Sequence, residues 1–195
     1  TKDGDRTPDK YASGSTTRDG WKCDAGSDHE WQAVIASRAN PRGETGCPFC
    51  AGMRLSVTNS LASVSPQIAS QWHPTKNGDL RPDEVVAGST RKVWWKCPEG
   101  PDHEWETKLV GRTHIENGCP FCRGLKVSVT NSLEARYPEL VAQWHPTKNG
   151  DLTPSDVVAK GHRKVWWYCD KGPDHEWLAV IGDRSFHGAK CACCT

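Results

Sequence analysis

Short apolar stretches between polar turns organise this chain, and the most apolar of them recurs. Val93-Trp94-Trp95-Lys96-Cys97 is repeated as Val165-Trp166-Trp167-Tyr168-Cys169, and both are rich in residues that favour strands. Each is predicted to be a strand. Glu104 to Val110 reads as the strand that returns, with a polar turn between. Alternation places Trp95 on the same face as Cys97, with Trp21 and Trp167 in the matching positions, so these three are core candidates. Trp94 and Trp166 point to the other face. Packing on a helix of their own unit is the favoured reading, and an exposed stacking platform is the alternative.

A helix is predicted where Ser65 precedes Pro66, an N-cap followed by proline at the first helical position. It runs to near Trp72-His73-Pro74, and Pro138 to Trp144 repeats it, with Trp72 and Trp144 facing the core. Asn77-Gly78 and Asn149-Gly150 are turn signals, and Pro82 to Val86 reads as a short turn or helical piece. The polar linker at residues 56–60 leads into the helix.

Cysteine and histidine fall on this frame at fixed places. The sets are Cys23, His29, Cys47 and Cys50; Cys97, His103, Cys119 and Cys122; and Cys169, His175, Cys191 and Cys194. Each reads Cys-x5-His followed by Cys-x2-Cys. Repeats two and three align without a gap at an offset of 72 residues, and repeat one joins that register from Cys47. Thiolate and imidazole donors in fours are what tetrahedral Zn2+ prefers, and four protein donors leave no open position. Three zinc ions per chain are therefore expected, each in a structural site. Trp31, Trp105 and Trp177 follow the ligand histidines by two residues and are expected to shield the metal. In repeat three Cys193 stands where the other knuckles have Phe, which leaves it as an alternative donor to Cys194.

The expected units are residues 1–52, 53–124 and 125–195. Units of about 70 residues have small cores and need such staples. The first lacks the helical segment, although Thr1 to Asp5, with Lys2, matches the turn at Thr75 to Asp79. Both ends cut into a unit, so a longer protein is expected. The fold class is small α+β: three tandem zinc-stabilised repeats, each a zinc-bound β-hairpin, with a short helix in repeats two and three.

A disulfide scaffold would not need a histidine beside each cysteine pair. Zinc ligands must stay reduced, so a reducing compartment is expected: cytoplasm, nucleoid-associated if the chain binds DNA, or nucleus in a eukaryote. No apolar run is long enough to span a membrane. Nine thiolates (−9) and three Zn2+ (+6) take the formal charge of +1 to about −2. Nucleic-acid binding would then have to come from local patches.

The residues from Asn59-Ser60-Leu61 through Gln71-Trp72-His73-Pro74, Val93 to Cys97 and His103-Glu104-Trp105 to Cys119-Pro120-Phe121-Cys122 carry a resemblance. They resemble a bacterial and viral domain of unknown function described as a probable zinc ribbon or treble-clef zinc finger. The resemblance spans nearly the whole chain. Members of that family occur in tandem, sometimes beside endonuclease domains of the very-short-patch-repair type. This implies an accessory role in nucleic-acid binding, with a nuclease domain or another protein as neighbour.

Recurrent cations give that role candidate residues. Arg91-Lys92 and Arg163-Lys164 precede the tryptophan strands, with Arg18 in repeat one, and Arg38, Arg112 and Arg184 recur after the returning strands. They could track a phosphate backbone, most simply that of duplex DNA. Pairing with nearby carboxylates is the alternative. Lys2, Lys76 and Lys148 are weaker candidates. His73 and His145 are expected to be structural. No catalytic constellation recurs; His114 and Asn117 in repeat two have no counterpart in the other copies, so no enzyme and no small-molecule substrate are expected. A protein-interaction array with tryptophan-lined surfaces is the rival reading.

Overall fold

The structure is a computed structural model that describes residues 7–39, 46–114, 117–191, 193 and 194. The Thr1 to Asp5 match, with Lys2, lies outside the described residues. Each sequence repeat supplies one two-stranded antiparallel hairpin: β1 (Arg18–Lys22) with β2 (Glu30–Val34), β3 (Lys92–Lys96) with β4 (Glu104–Lys108), and β5 (Lys164–Tyr168) with β6 (Glu176–Val180). In the first, Trp21 faces Trp31; in the third, Trp167 faces Trp177.

A short helix follows each hairpin: α1 (Ile35–Arg38), α4 (Leu109–Thr113) and α7 (Ile181–Ser185). The returning strand predicted to reach Val110 thus ends at Lys108. Turning into a helix lets residues three apart share the buried face. Leu109 and Arg112 are 0% and 5% exposed, and Ile181 and Arg184 are 0% and 6%.

The helix predicted from Ser65 to near Trp72 is shorter, α3 (Pro66–Ala69), and an unpredicted turn, α2 (Leu61–Val64), precedes it; α6 (Pro138–Val141) and α5 (Leu133–Arg136) are their copies. Proline has no N–H and disfavours helical geometry in the residue before it. Ser65, at φ −143° and ψ 68°, breaks the run. The effective cap lies earlier: Ser60 Oγ accepts a hydrogen bond from the Ser63 amide, and Ser132 Oγ one from Ala135. Single 3-10 turns lie at Pro8–Lys10, Pro82–Glu84 and Pro154–Asp156.

The chain packs as two units, Thr1–Trp95 with Glu106–Glu116 and Lys96–Trp105 with Asn117–Thr195. The stem of the second hairpin belongs to the first unit and its metal-binding tip to the second. Within the first unit, Leu61, Val93, Trp95 and Leu109 form a buried core. Within the second, Leu133, Leu140, Val157, Val165, Trp167 and Ile181 do so. Trp72 meets Trp95 edge-on at 5.7 Å, and Trp144 meets Trp167 at 5.8 Å, as their expected core positions require. Truncating a buried tryptophan of this kind costs about 3–5 kcal/mol.

Trp94 and Trp166 differ from the favoured expectation. Both are half-buried, and Trp166 is not among the residues that form or flank the core of its unit. Their ring partners are the ammonium groups of Lys76, 4.5 Å from the Trp94 centroid, and Lys148, 4.7 Å from that of Trp166. Asn77 and Asn149, from the same turns, bond the backbone N–H and C=O of these tryptophans. No described helix is long and apolar enough to cross a membrane.

Candidate metal centres

Each hairpin hands its turn to the metal. Cys23, Cys97 and Cys169 follow the first strand directly, and their amides bond the carbonyls of His29, His103 and His175 at 3.0–3.1 Å. The histidine amides bond back to Gly26, Gly100 and Gly172. These glycines are required by contact: a Cβ would stand 2.6 Å from the His29 ring at Gly26, 2.6 Å from the His103 ring at Gly100 and 2.8 Å from the His175 ring at Gly172. The Cys-x2-Cys knuckles are tight turns that pass through Gly52 and Gly124, whose φ values of 68° and 69° lie in the left-handed region that glycine tolerates.

The twelve residues predicted as ligands form three clusters, and within each the four donor atoms lie within 4.8 Å of one another. Cys194 is the donor in the third; Cys193 is not part of the cluster. A zinc tetrahedron with Zn–S near 2.3 Å and Zn–N near 2.0 Å has edges of about 3.8 Å between sulfurs and about 3.6 Å from sulfur to nitrogen. The sulfur pairs Cys23–Cys50, Cys97–Cys122 and Cys169–Cys194 are 3.6, 3.7 and 3.8 Å apart. The His29 Nδ1 atom is 3.6 Å from both knuckle sulfurs, and His103 Nδ1 is 3.7 and 3.6 Å from its pair. His175 Nδ1 is less regular, at 3.9 and 3.4 Å. Donor chemistry and spacing both fit zinc. As a thiol the last knuckle cysteine of each site resists ionisation: burial first pushes Cys122 up to about 12 and Cys194 to about 11, and bonding to Cys23 first pushes Cys50 to about 11. At Cys47 and Cys191 burial acts in the same upward sense, but hydrogen bonds together outweigh it and hold the thiol below its ordinary value. A cation among them stabilises the thiolates.

With Nδ1 turned to the metal, the outer nitrogen carries the proton of a neutral imidazole and needs an acceptor. His29 Nε2 donates to Ser56 Oγ and Thr58 Oγ1, both at 2.9 Å; His103 Nε2 donates to Ser128 Oγ at 3.0 Å and Thr130 Oγ1 at 2.9 Å. The same linker also holds the knuckle. Asn59 Nδ2 donates to the carbonyls of Phe49 and Arg54, and Asn131 Nδ2 to those of Phe121 and Lys126. Asp28 and Asp102 accept from the amides of Val57 and Val129, which is the first cause holding the Asp28 carboxyl below its ordinary value. Phe49 stacks on His29 at 5.0 Å, and Phe121 on His103 at the same distance. The linker, predicted only as a lead into the helix, is thus the outer shell of the preceding metal site. Its signal was in the sequence, since Ser128, Thr130 and Asn131 repeat Ser56, Thr58 and Asn59 at an offset of 72.

The candidate nucleic-acid residues divide. Arg18, Arg91, Lys92, Arg163 and Lys164 are exposed. Arg112 and Arg184 are not available to a phosphate backbone. Arg112 lies 5.2 Å from the Trp95 ring and donates to Gln71 at 2.6 Å. Arg184 lies against Trp167 and Trp177, and its guanidinium bonds Gln143 and the Ala189 carbonyl. Burial pulls its pKa below the ordinary value, and the thiolates of Cys191 and Cys169 oppose that shift. Arg38 is half-buried over Trp21 and Trp31. Arg112 and Arg184 are buried cations and Arg38 a half-buried one, all three packed on the hairpin tryptophans. A site of three thiolates and one Zn2+ carries −1, so a buried guanidinium nearby offsets it.

His73 and His145 are structural, as expected: each is buried, and its Nδ1 accepts from two amides of the following turn. His114 ends α4. No curated protein matches the chain. The model of a family described as a probable treble clef zinc finger domain matches residues 1–53, 68–125 and 140–195. With that match over most of its length and three sites of matching donors, the chain belongs to the treble clef zinc finger family.

Proposed function

We propose that this chain is a nucleic-acid-binding tandem module, acting on duplex DNA through the outer faces of its second and third hairpins. One observation supports the reading above the others. A half-buried tryptophan with a lysine ammonium over its ring, flanked by an exposed Arg-Lys pair, occurs twice in register: Lys76, Arg91, Lys92 and Trp94, then Lys148, Arg163, Lys164 and Trp166. Trp166 and the Glu176 carboxylate together hold the Lys148 ammonium, and Trp94 lies under that of Lys76, so less entropy is lost when these cations meet a phosphate. Zinc supplies structure here, since four protein donors close each tetrahedron and the reading needs no metal-bound water. The thiolate ligands fit a reducing compartment.

The test is duplex binding by the zinc-loaded chain across about 50 to 200 mM salt. Six cations on phosphates give a log–log salt slope of about −5. Changing Lys76, Arg91, Lys92, Lys148, Arg163 and Lys164 to Ala should flatten that slope, whereas Arg112→Ala should reduce stability instead. A slope near zero for the unaltered chain rules the reading out. The protein-partner reading draws on side chains exposed after the first two knuckles, including Met53 at 81% and Leu125 at 66%. It predicts partner capture that survives the six substitutions.

A further inference from the structure

A cleft of about 680 Å3 lies in the second unit beside Cys122 of the second metal site, and three cations and a histidine line it. Arg123 comes from the second knuckle, Arg136 from α5, and Lys160 and His162 from the turn before β5. All four are exposed, no acidic residue lines the cleft, and none of the four has a carboxylate partner among the described residues. Tyr137 and Phe186 give it an aromatic wall, with the Lys160 ammonium 4.9 Å from the Phe186 ring centroid.

The preceding copy of the same fold shows that the architecture does not require this charge. At the offset of 72 residues, Arg123, Arg136, Lys160 and His162 correspond to Ala51, Val64, Gly88 and Thr90. Tyr137 and Phe186 correspond to Ser65 and His114. None of the three cations and no histidine is present at these positions there. The His114 ring also stands where a side chain on Gly88 would go, 3.3 Å from a Cβ built at that position. Cations and aromatic rings therefore distinguish this copy together, at one place, on an otherwise repeated frame. Like charges collected without counter-charges raise the local potential and repel one another, a cost that a bound anion removes. The volume is in the range of small-ligand sites.

We infer that this cleft binds a phosphate group attached to a nucleoside, with the cations facing the phosphate and Tyr137 and Phe186 beside the base. The ligand is a free nucleotide or one nucleotide of a single strand, which share this chemistry. The site uses none of the residues assigned to the duplex-binding faces, so it stands or falls separately from that reading.

The experiment follows backbone amide shifts of the zinc-loaded chain on titration with inorganic phosphate, AMP and a short oligothymidylate. AMP or the strand should move residues 160–162 together with Tyr137, and phosphate should move the same set more weakly. The combined variant Arg123→Ala, Arg136→Val, Lys160→Gly and His162→Thr installs residues that the preceding copy already carries, and elemental analysis for three zincs verifies its fold. It should bind at least about tenfold more weakly, the loss of one charged contact or more. Arg123→Gln alone should lose a smaller part. Lys92→Ala should leave AMP binding unchanged, which separates the cleft from the hairpin faces. Tighter binding of AMP identifies a free nucleotide, and tighter binding of the strand identifies nucleic acid; either supports the site. The inference is overturned if none of the three probes moves these amides, if the combined variant binds AMP as well as the parent, or if polyglutamate moves them and AMP does not.

Discussion

The first two metal sites and the third share donors and hairpin, yet their histidines meet different surroundings. His29 and His103 are 1% and 2% exposed, each covered by a phenylalanine ring and a pair of hydroxyls. His175 is only half-buried. Cys193 occupies the place of the ring. Its distances to the two knuckle sulfurs are also the least even of the three sites. Four donors thus suffice to define a zinc site, while the residues around the imidazole determine how firmly it is held.

The largest test of that comparison is removal of the metal. Structural zinc contributes roughly 10–16 kcal/mol of apparent binding energy in small domains, and that energy is folding energy. Chelator competition, followed by zinc release and circular dichroism, should remove one equivalent before the other two and melt the units as the metal leaves. Loss of all three in a single step would contradict the distinction. Next comes removal of the hydroxyl pair that meets His103 Nε2 in the second site. Ser128→Ala with Thr130→Val should weaken its zinc by about 10–100-fold, so that two equivalents leave early. An unchanged release profile would mean that the hydroxyl pair is incidental.

Conversion of the third site to resemble the first two has a smaller expected effect. Cys193→Phe replaces the missing ring and should strengthen the third site by roughly 0.5–1.5 kcal/mol, seen as later release of the early equivalent. Acid gives the smallest separation. Bound thiols are ionised at pH values where the free groups at Cys50, Cys122 and Cys194 are protonated, with pKa values of about 11 to 12. The folded holo form therefore has depressed thiol pKa values, and its stability is present at neutral pH and lost as pH falls. With about three protons taken up per zinc released, a tenfold affinity gap shifts the midpoint by roughly a third of a pH unit. The third site should release at the higher pH, measured by zinc release during acid titration.

The donors and the hairpin were legible because spacing is nearly all that a zinc site demands of a sequence. The hydroxyl shell was not, because Ser56 and Thr58 stand 27 and 29 residues beyond His29 and belong by sequence to the next copy. Arg112 and Arg184 were misread for a different reason. Arginine is usually exposed, and nothing in its spacing distinguishes a guanidinium stacked on a buried tryptophan from one facing solvent. The helix break at Pro66 was readable, but the Ser-Pro pair also fits a helix start, and it serves as both.

The linker at residues 56–60 couples one copy to the next. Its first half receives the proton of His29, while Ser60 caps α2 and Ala87 bonds back to Asn59. The cooperative block is accordingly offset from the sequence repeat: it joins the metal tip of one copy to the helices and hairpin stem of the following one, which is how the two compact units divide. In a linear array of this kind stability is a sum of local terms and nearest-neighbour terms. Here the neighbour term runs through the linker, so the loss of one ion should loosen its own knuckle and the copy that follows together.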